Sequence, residues 1–162
     1  MGNNLLMDKA TKVLENCLEA DLRLVIAESC TGGLVSAYLT DIPGSSRVVD
    51  RGIVAYSNAS KTDLLGVKSE LIRDHGAVSE KVACSMCLGA LSRSTADLAV
   101  AITGIAGPTG GGRPGKPIGL VHIAVCRRGR QMQHISEIFS GNRTSVRHAA
   151  AAAALDLLAM HI

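Results

Sequence analysis

An apolar run of Leu22, Leu24, Val25, Ile26 and Ala27 stops at Glu28-Ser29-Cys30-Thr31-Gly32-Gly33. Leu34-Val35-Ser36-Ala37-Tyr38-Leu39 then resumes at helical spacing. A buried strand, a tight turn and a helix account for this pattern, and the paired glycines allow the turn. The turn sets the Ser29 hydroxyl beside the backbone N–H groups that open the helix. Those donors, with the positive end of the helix dipole, suit an anion or the oxyanion of an acyl-transfer intermediate. The same small polar residues also make an ordinary helix cap. Ser29 therefore needs a partner elsewhere in the chain before it reads as a nucleophile.

The flanking sequence repeats the alternation. Leu6, Ala10, Val13, Leu14, Cys17 and Leu18 share one helical face, and the helix after Ser29 ends near Asp41-Ile42-Pro43-Gly44. Residues 51–57 (Arg51 to Ser57) predict a second strand, followed by a helix capped by Ser57 or Asn58. Ser69 opens a short helix stopped by Gly76, and Ser79-Glu80 starts a longer one with Val82, Met86 and Ala90 on one face. Leu98 to Thr103 is a buried strand that runs into a Gly/Pro loop, Gly104 to Pro117. Two strands, 118–126 and 131–139, enclose Arg127-Arg128-Gly129-Arg130 as a hairpin. An Ala-rich helix from Asn142 closes the chain, with no repeat and no linker. Strands alternating with helices, plus one hairpin, predict an α/β layered sheet with mixed strand directions.

A chain of 162 residues is the size of one domain, here residues 1–162. Aromatic residues make up only 2% of it against 47% hydrophobic residues, so aliphatic side chains and alanine must build the core. With so few rings to stack bases and no basic block in a net charge of +3, no nucleic-acid partner is expected. No run reaches membrane-spanning length, no signal-peptide core opens the chain, and Leu6 stands where a myristoylation motif wants Ser or Thr. A cytoplasmic location without membrane attachment is expected, and five irregularly spaced cysteines then argue for free thiols. The Ala-rich last helix is suited to close packing against a second subunit.

Lys61 supplies the partner that Ser29 lacks. With Asn58 as cap it is the third residue of its helix, where the dipole disfavours an ammonium. Desolvation would lower its pKa further, toward a free amine that accepts a proton. A serine and such a lysine, each just after a strand, meet if both lie at the strand C-terminal edge where α/β sheets place their sites. Ser–Lys is one of the nucleophile–base pairs of acyl transfer. An ordinary solvated lysine fits the spacing equally well.

Five segments together resemble the CinA C-terminal domain family: Ala27 to Gly33, Asp41 to Ser46, Arg51 to Asn58, His75 to Ser79 and Thr103 to Pro108. The resemblance covers nearly the whole chain. It implies a three-layer α/β/α fold around a mixed, mostly parallel five-stranded sheet with one antiparallel strand. Single-domain members of the family are nicotinamide-nucleotide amidases. The resemblance therefore implies hydrolysis of nicotinamide mononucleotide to nicotinate mononucleotide and ammonia, with a pyridine mononucleotide as the small-molecule partner and no metal or cofactor. Residue by residue, it makes Ser29 the nucleophile, Lys61 its base and Tyr56 an assisting hydroxyl. The backbone at Cys30, Thr31, Gly32 and Gly33 would hold the oxyanion, and Thr103, Gly104, Ala106 and Gly107 would line the site.

Arg143 and Arg147 repel one another four residues apart at the start of the last helix, and a substrate phosphate would relieve both. Gly110 to Lys116 has P-loop spacing, but Pro117 replaces the Ser/Thr and a strand follows, so the loop reads instead as a mobile flap. Cys84 and Cys87 read as core residues. Cys30 is a rival nucleophile without a placed histidine, and Glu28 either orients Lys61 or faces solvent. The arginine-rich hairpin tip reads as a solvated turn. Two other functions fit the same residues: a nucleotide- or phosphate-binding module without turnover, and an interaction role in competence.

Overall fold

A computed structural model describes residues 2–110 and 113–162. Its centre is a five-stranded sheet in the order β2-β1-β3-β4-β5, formed by β1 (Leu24–Glu28), β2 (Val49–Val54), β3 (Leu98–Gly104), β4 (Leu120–Arg127) and β5 (Gln133–Ile138). β1 pairs in parallel with β2 and β3, whereas β4 runs antiparallel to both β3 and β5. One strand thus opposes the other four. The expected α/β/α architecture and its mixed, mostly parallel sheet are what the chain forms.

Helices cover both faces, which is why β1 is buried at every residue. On one face α1 (Gly2–Glu19), α2 (Leu34–Thr40) and α6 (Arg143–Ala159) enclose Leu24, Ile26, Leu98, Val100 and Ile102. On the other, α3 (Asn58–Leu65), α4 (Ser69–His75) and α5 (Glu80–Ser92) enclose Val25, Ala27, Ala99 and Ala101. The strand period of two assigns these sets to opposite faces. α3 and α5 cross so tightly that a Cβ at Gly89 would fall 1.8 Å from the Leu65 carbonyl oxygen. On α6, Ala150, Ala151 and Ala154 are buried within the chain's own core.

Three local expectations change. The second strand ends at Val54 rather than Ser57, because Ala55 donates one last bond to the Glu28 carbonyl and Ser57 then caps α3. Leu18 lies off the buried face of α1, at 38% exposure. The hairpin tip is not simply solvated: Arg128 donates to the carbonyls of Leu91, Ser94 and Ala96 at the end of α5, and Arg127 to that of Ile162. All five cysteines are free, and Cys87 packs in the core with its sulfur 2.9 Å from that of Cys126.

Candidate active site

Ser29 follows β1 directly, and its N–H donates to the Ile102 carbonyl of the neighbouring strand at 2.9 Å. The turn after it closes through Gly32 N–H to the Ser29 carbonyl at 3.0 Å, with Gly32 and Gly33 at positive φ. Glu28 neither orients Lys61 nor faces solvent. Its carboxylate is fully buried and accepts the N–H groups of Gly33, Val35 and Ser36 and the Ser36 hydroxyl at 2.7–3.1 Å. The start of α2 therefore already holds an anion of the chain's own. With Gly32 and Gly33 committed, the N–H groups of Cys30 and Thr31 are the ones in the turn without a partner among the described residues.

Lys61 enters from α3. Ser57 is the cap, its Oγ accepting the Ser60 N–H at 3.0 Å, so Lys61 is the fourth helical residue and not the third. The side chain is 1% exposed, and its Nζ lies 3.0 Å from Ser29 Oγ. The carbonyl oxygens of Ala55 and Tyr56 accept from Nζ at 3.0 and 3.1 Å. These carbonyls belong to the residues that leave the sheet after Val54, so the early end of β2 builds the lysine's seat. Burial, with no carboxylate in contact, pushes the Lys61 pKa below its ordinary value. A neutral amine has two hydrogens and one lone pair. In that form the two carbonyls would take the hydrogens and leave the lone pair for the Ser29 hydroxyl, whereas an ammonium donates to all three oxygens.

Ser29, Cys30, Tyr56, Lys61 and Arg143 line one cavity of about 260 Å³, together with Thr103, Gly104, Ala106 and Gly107. Thr103 donates to the Ala77 carbonyl at 2.9 Å and fixes that wall. Gly104 has no room for a side chain, since a Cβ would meet Val121, the Leu120 carbonyl and the Cys30 sulfur within 3.0 Å. Tyr56 is 58% exposed, and its hydroxyl accepts from Arg143 at 2.7 Å and makes no bond to Ser29 or Lys61. Arg143 also donates to the Gly107 carbonyl at 2.6 Å. Cys30 is 5% exposed with its thiol pushed up to about 12 by burial, which removes the thiolate a rival nucleophile needs.

Arg147 does not line this cavity. Its guanidinium donates to the carbonyls of Cys30 and Thr31 at 3.2 and 2.8 Å. Asn58, Ala77, Val78, Ile105 and Thr109 line the cavity without having been singled out by sequence. Most offer backbone or apolar atoms and carry no chemical signature of their own. The presumed flap is tied down on one side: Arg113 donates to the Arg73 carbonyl at 2.6 Å and Lys116 to that of Val78 at 2.6 Å. Its Gly111 and Gly112 lie outside the described residues.

A family model for the CinA C-terminal domain matches residues 7–162. The chain belongs to this CinA family. A CinA-like protein of Gemmatimonas aurantiaca is 48% identical over 151 residues, covering 93% of this chain and 35% of the relative. One from Mycolicibacterium gilvum is 52% identical over 141 residues, covering 87% of this chain and 33% of the relative. The chain thus spans about a third of the length of these CinA relatives. The competence/damage inducible protein CihA of Agrobacterium tumefaciens superposes with a TM-score of 0.92 at 44% identity, over 95% of this chain and 93% of that one. The competence damage-inducible protein A of Klebsiella pneumoniae gives 0.92 at 34% identity, over 96% and 95%.

Proposed function

We propose that this CinA-family chain is a Ser–Lys amidohydrolase that converts nicotinamide mononucleotide to nicotinate mononucleotide and ammonia. The observation that carries the reading is the 3.0 Å approach of Ser29 Oγ to a buried Lys61 amine that has no counter-ion in contact. Substrate identity rests on the family resemblance. Neutral Lys61 takes the Ser29 proton while Oγ attacks the carboxamide carbon. The N–H groups of Cys30 and Thr31 hold the oxyanion. Collapse of the tetrahedral intermediate breaks the C–N bond, and the Lys61 ammonium returns its proton to the departing ammonia. Lys61 then activates water to cleave the Ser29 ester and release the carboxylate. Arg143, anchored on Gly107 and Tyr56 at the cavity, is the residue proposed to meet the substrate phosphate. Tyr56 keeps its hydroxyl hydrogen free to donate to the substrate.

Ammonia release from nicotinamide mononucleotide tests this. The wild-type chain is expected to turn over, and Ser29→Ala to lose about 10⁴-fold or more in rate with an unchanged melting curve. Tight binding without ammonia release would favour a non-catalytic nucleotide-binding module instead. Turnover that survives Ser29→Ala would refute the nucleophile.

A further inference from the structure

Arg147 was expected beside Arg143 at a phosphate, yet of the two only Arg143 lines the cavity. Arg147 instead reaches from α6 to two consecutive carbonyls, Cys30 at 3.2 Å and Thr31 at 2.8 Å. The Cys30–Thr31 peptide is trans, so its carbonyl and its N–H point in opposite directions. A guanidinium holding the Cys30 carbonyl on the α6 side therefore aims the Thr31 N–H the other way. Ser29 and Cys30 of the same turn line the cavity, and Thr31 is itself buried. The preceding peptide is held the same way: the Ser29 carbonyl accepts from Gly32 at 3.0 Å, which leaves the Cys30 N–H pointing outward. Both N–H groups are unpartnered among the described residues.

We infer that Arg147 is a positioning residue: by anchoring the Cys30 and Thr31 carbonyls it orients the backbone donors that receive the oxyanion, and it does not bind the substrate's phosphate. This inference rests on the acyl-transfer reading above. The cation adds polarisation to orientation, since a charged donor on a carbonyl strengthens the N–H of the same peptide as a donor. Removing one such donor outright from an acyl-transfer site costs about 10²- to 10³-fold in kcat. Loosening a donor that stays present should cost less, about 10- to 100-fold.

The test compares kcat and KM for nicotinamide mononucleotide and for its phosphate-free nucleoside in wild type, Arg147→Ala and Arg147→Lys. The expected result is a kcat about 10- to 100-fold lower in Arg147→Ala, equal for both substrates, with KM changed less than about threefold. Arg147→Lys, which can still reach a carbonyl, recovers part of the rate. Added guanidinium ion at sub-denaturing concentration restores part of it in Arg147→Ala, a rescue that a misfolded variant cannot show. A KM rise confined to the phosphorylated substrate with kcat intact would make Arg147 a phosphate ligand and overturn the inference. Unchanged kinetics would overturn it too. If wild type releases no ammonia, the substrate reading has failed. The inference is then read from the rate at which a p-nitrophenyl ester acylates Ser29, where an Arg147→Ala rate equal to wild type refutes it.

Discussion

Burying an amine with no carboxylate beside it costs free energy, and Lys61 is 1% exposed among carbonyls and one hydroxyl. Because its pKa in the folded chain is lowered from the unfolded value of about 10.4, the unfolded chain binds more protons between the two values. Stability contributed at this position therefore rises with pH across that window, and the full cost is present below it. Lys61→Met, which keeps the volume and removes the charge, is expected to abolish turnover yet stabilise the fold at pH 7. Denaturant melts at pH 7 and near pH 10 check this, and the gain should shrink at the higher pH. Cys30 gives a second expectation at this scale. With its thiol pushed up to about 12, alkylation followed by mass spectrometry should label the partly exposed Cys84 first and leave Cys30 unmodified in the folded chain.

At the scale of elements, the start of α2 matters most, because it fixes the turn that carries Ser29. The helix has no capping side chain of its own at Gly33; the Glu28 carboxylate, at the end of β1, supplies that function through three backbone N–H groups and the Ser36 hydroxyl. Glu28→Gln turns an NH₂ toward donors and leaves buried N–H groups unpaired, so it should cost about 2–3 kcal/mol. For a chain of this size that lowers the melting temperature by roughly 4–12 °C. Gly52 on β2 guards the same contact. A Cβ there would fall 2.3 Å from Ser36 Oγ, so Gly52→Ala should push Ser36 off Glu28 and lower both stability and turnover. A Gly52→Ala protein with wild-type melting and kinetics would show that the cap is not what holds the turn.

For the whole molecule, the alternation of apolar runs with helical spacing was enough to read an α/β layered sheet, because burial on both faces makes β1 apolar from Leu24 to Ala27 and β3 apolar from Leu98 to Ile102. That one strand of five opposes the rest came through the family resemblance, and strand order was not read at all, since periodicity carries no information about neighbours. Ser29 was legible as a hydroxyl set at one helix start, and Lys61 as an ammonium disfavoured at another. That Lys61 is desolvated could be named as a condition but not read as a fact, because burial depends on how α3 seats against the sheet and not on local spacing. The partners of Glu28 and Arg147 were not legible for a related reason: each bonds across a turn or between elements to backbone groups that have no signature in sequence. The glycine loop resembled a phosphate cradle only in spelling, and the structure uses Arg113 and Lys116 to fasten its end to the α4 region. No helix among the described residues is long and apolar enough to cross a membrane.

The Ser29–Lys61 pair is tested most directly by the pH dependence of kcat/KM for ammonia release from nicotinamide mononucleotide. The profile should rise through a single ionisation well below about 10.4, the ordinary lysine value. Lys61→Ala should lose both the rate and that ionisation. A profile with no such ionisation, or a Lys61→Ala enzyme that retains wild-type turnover, would contradict the account.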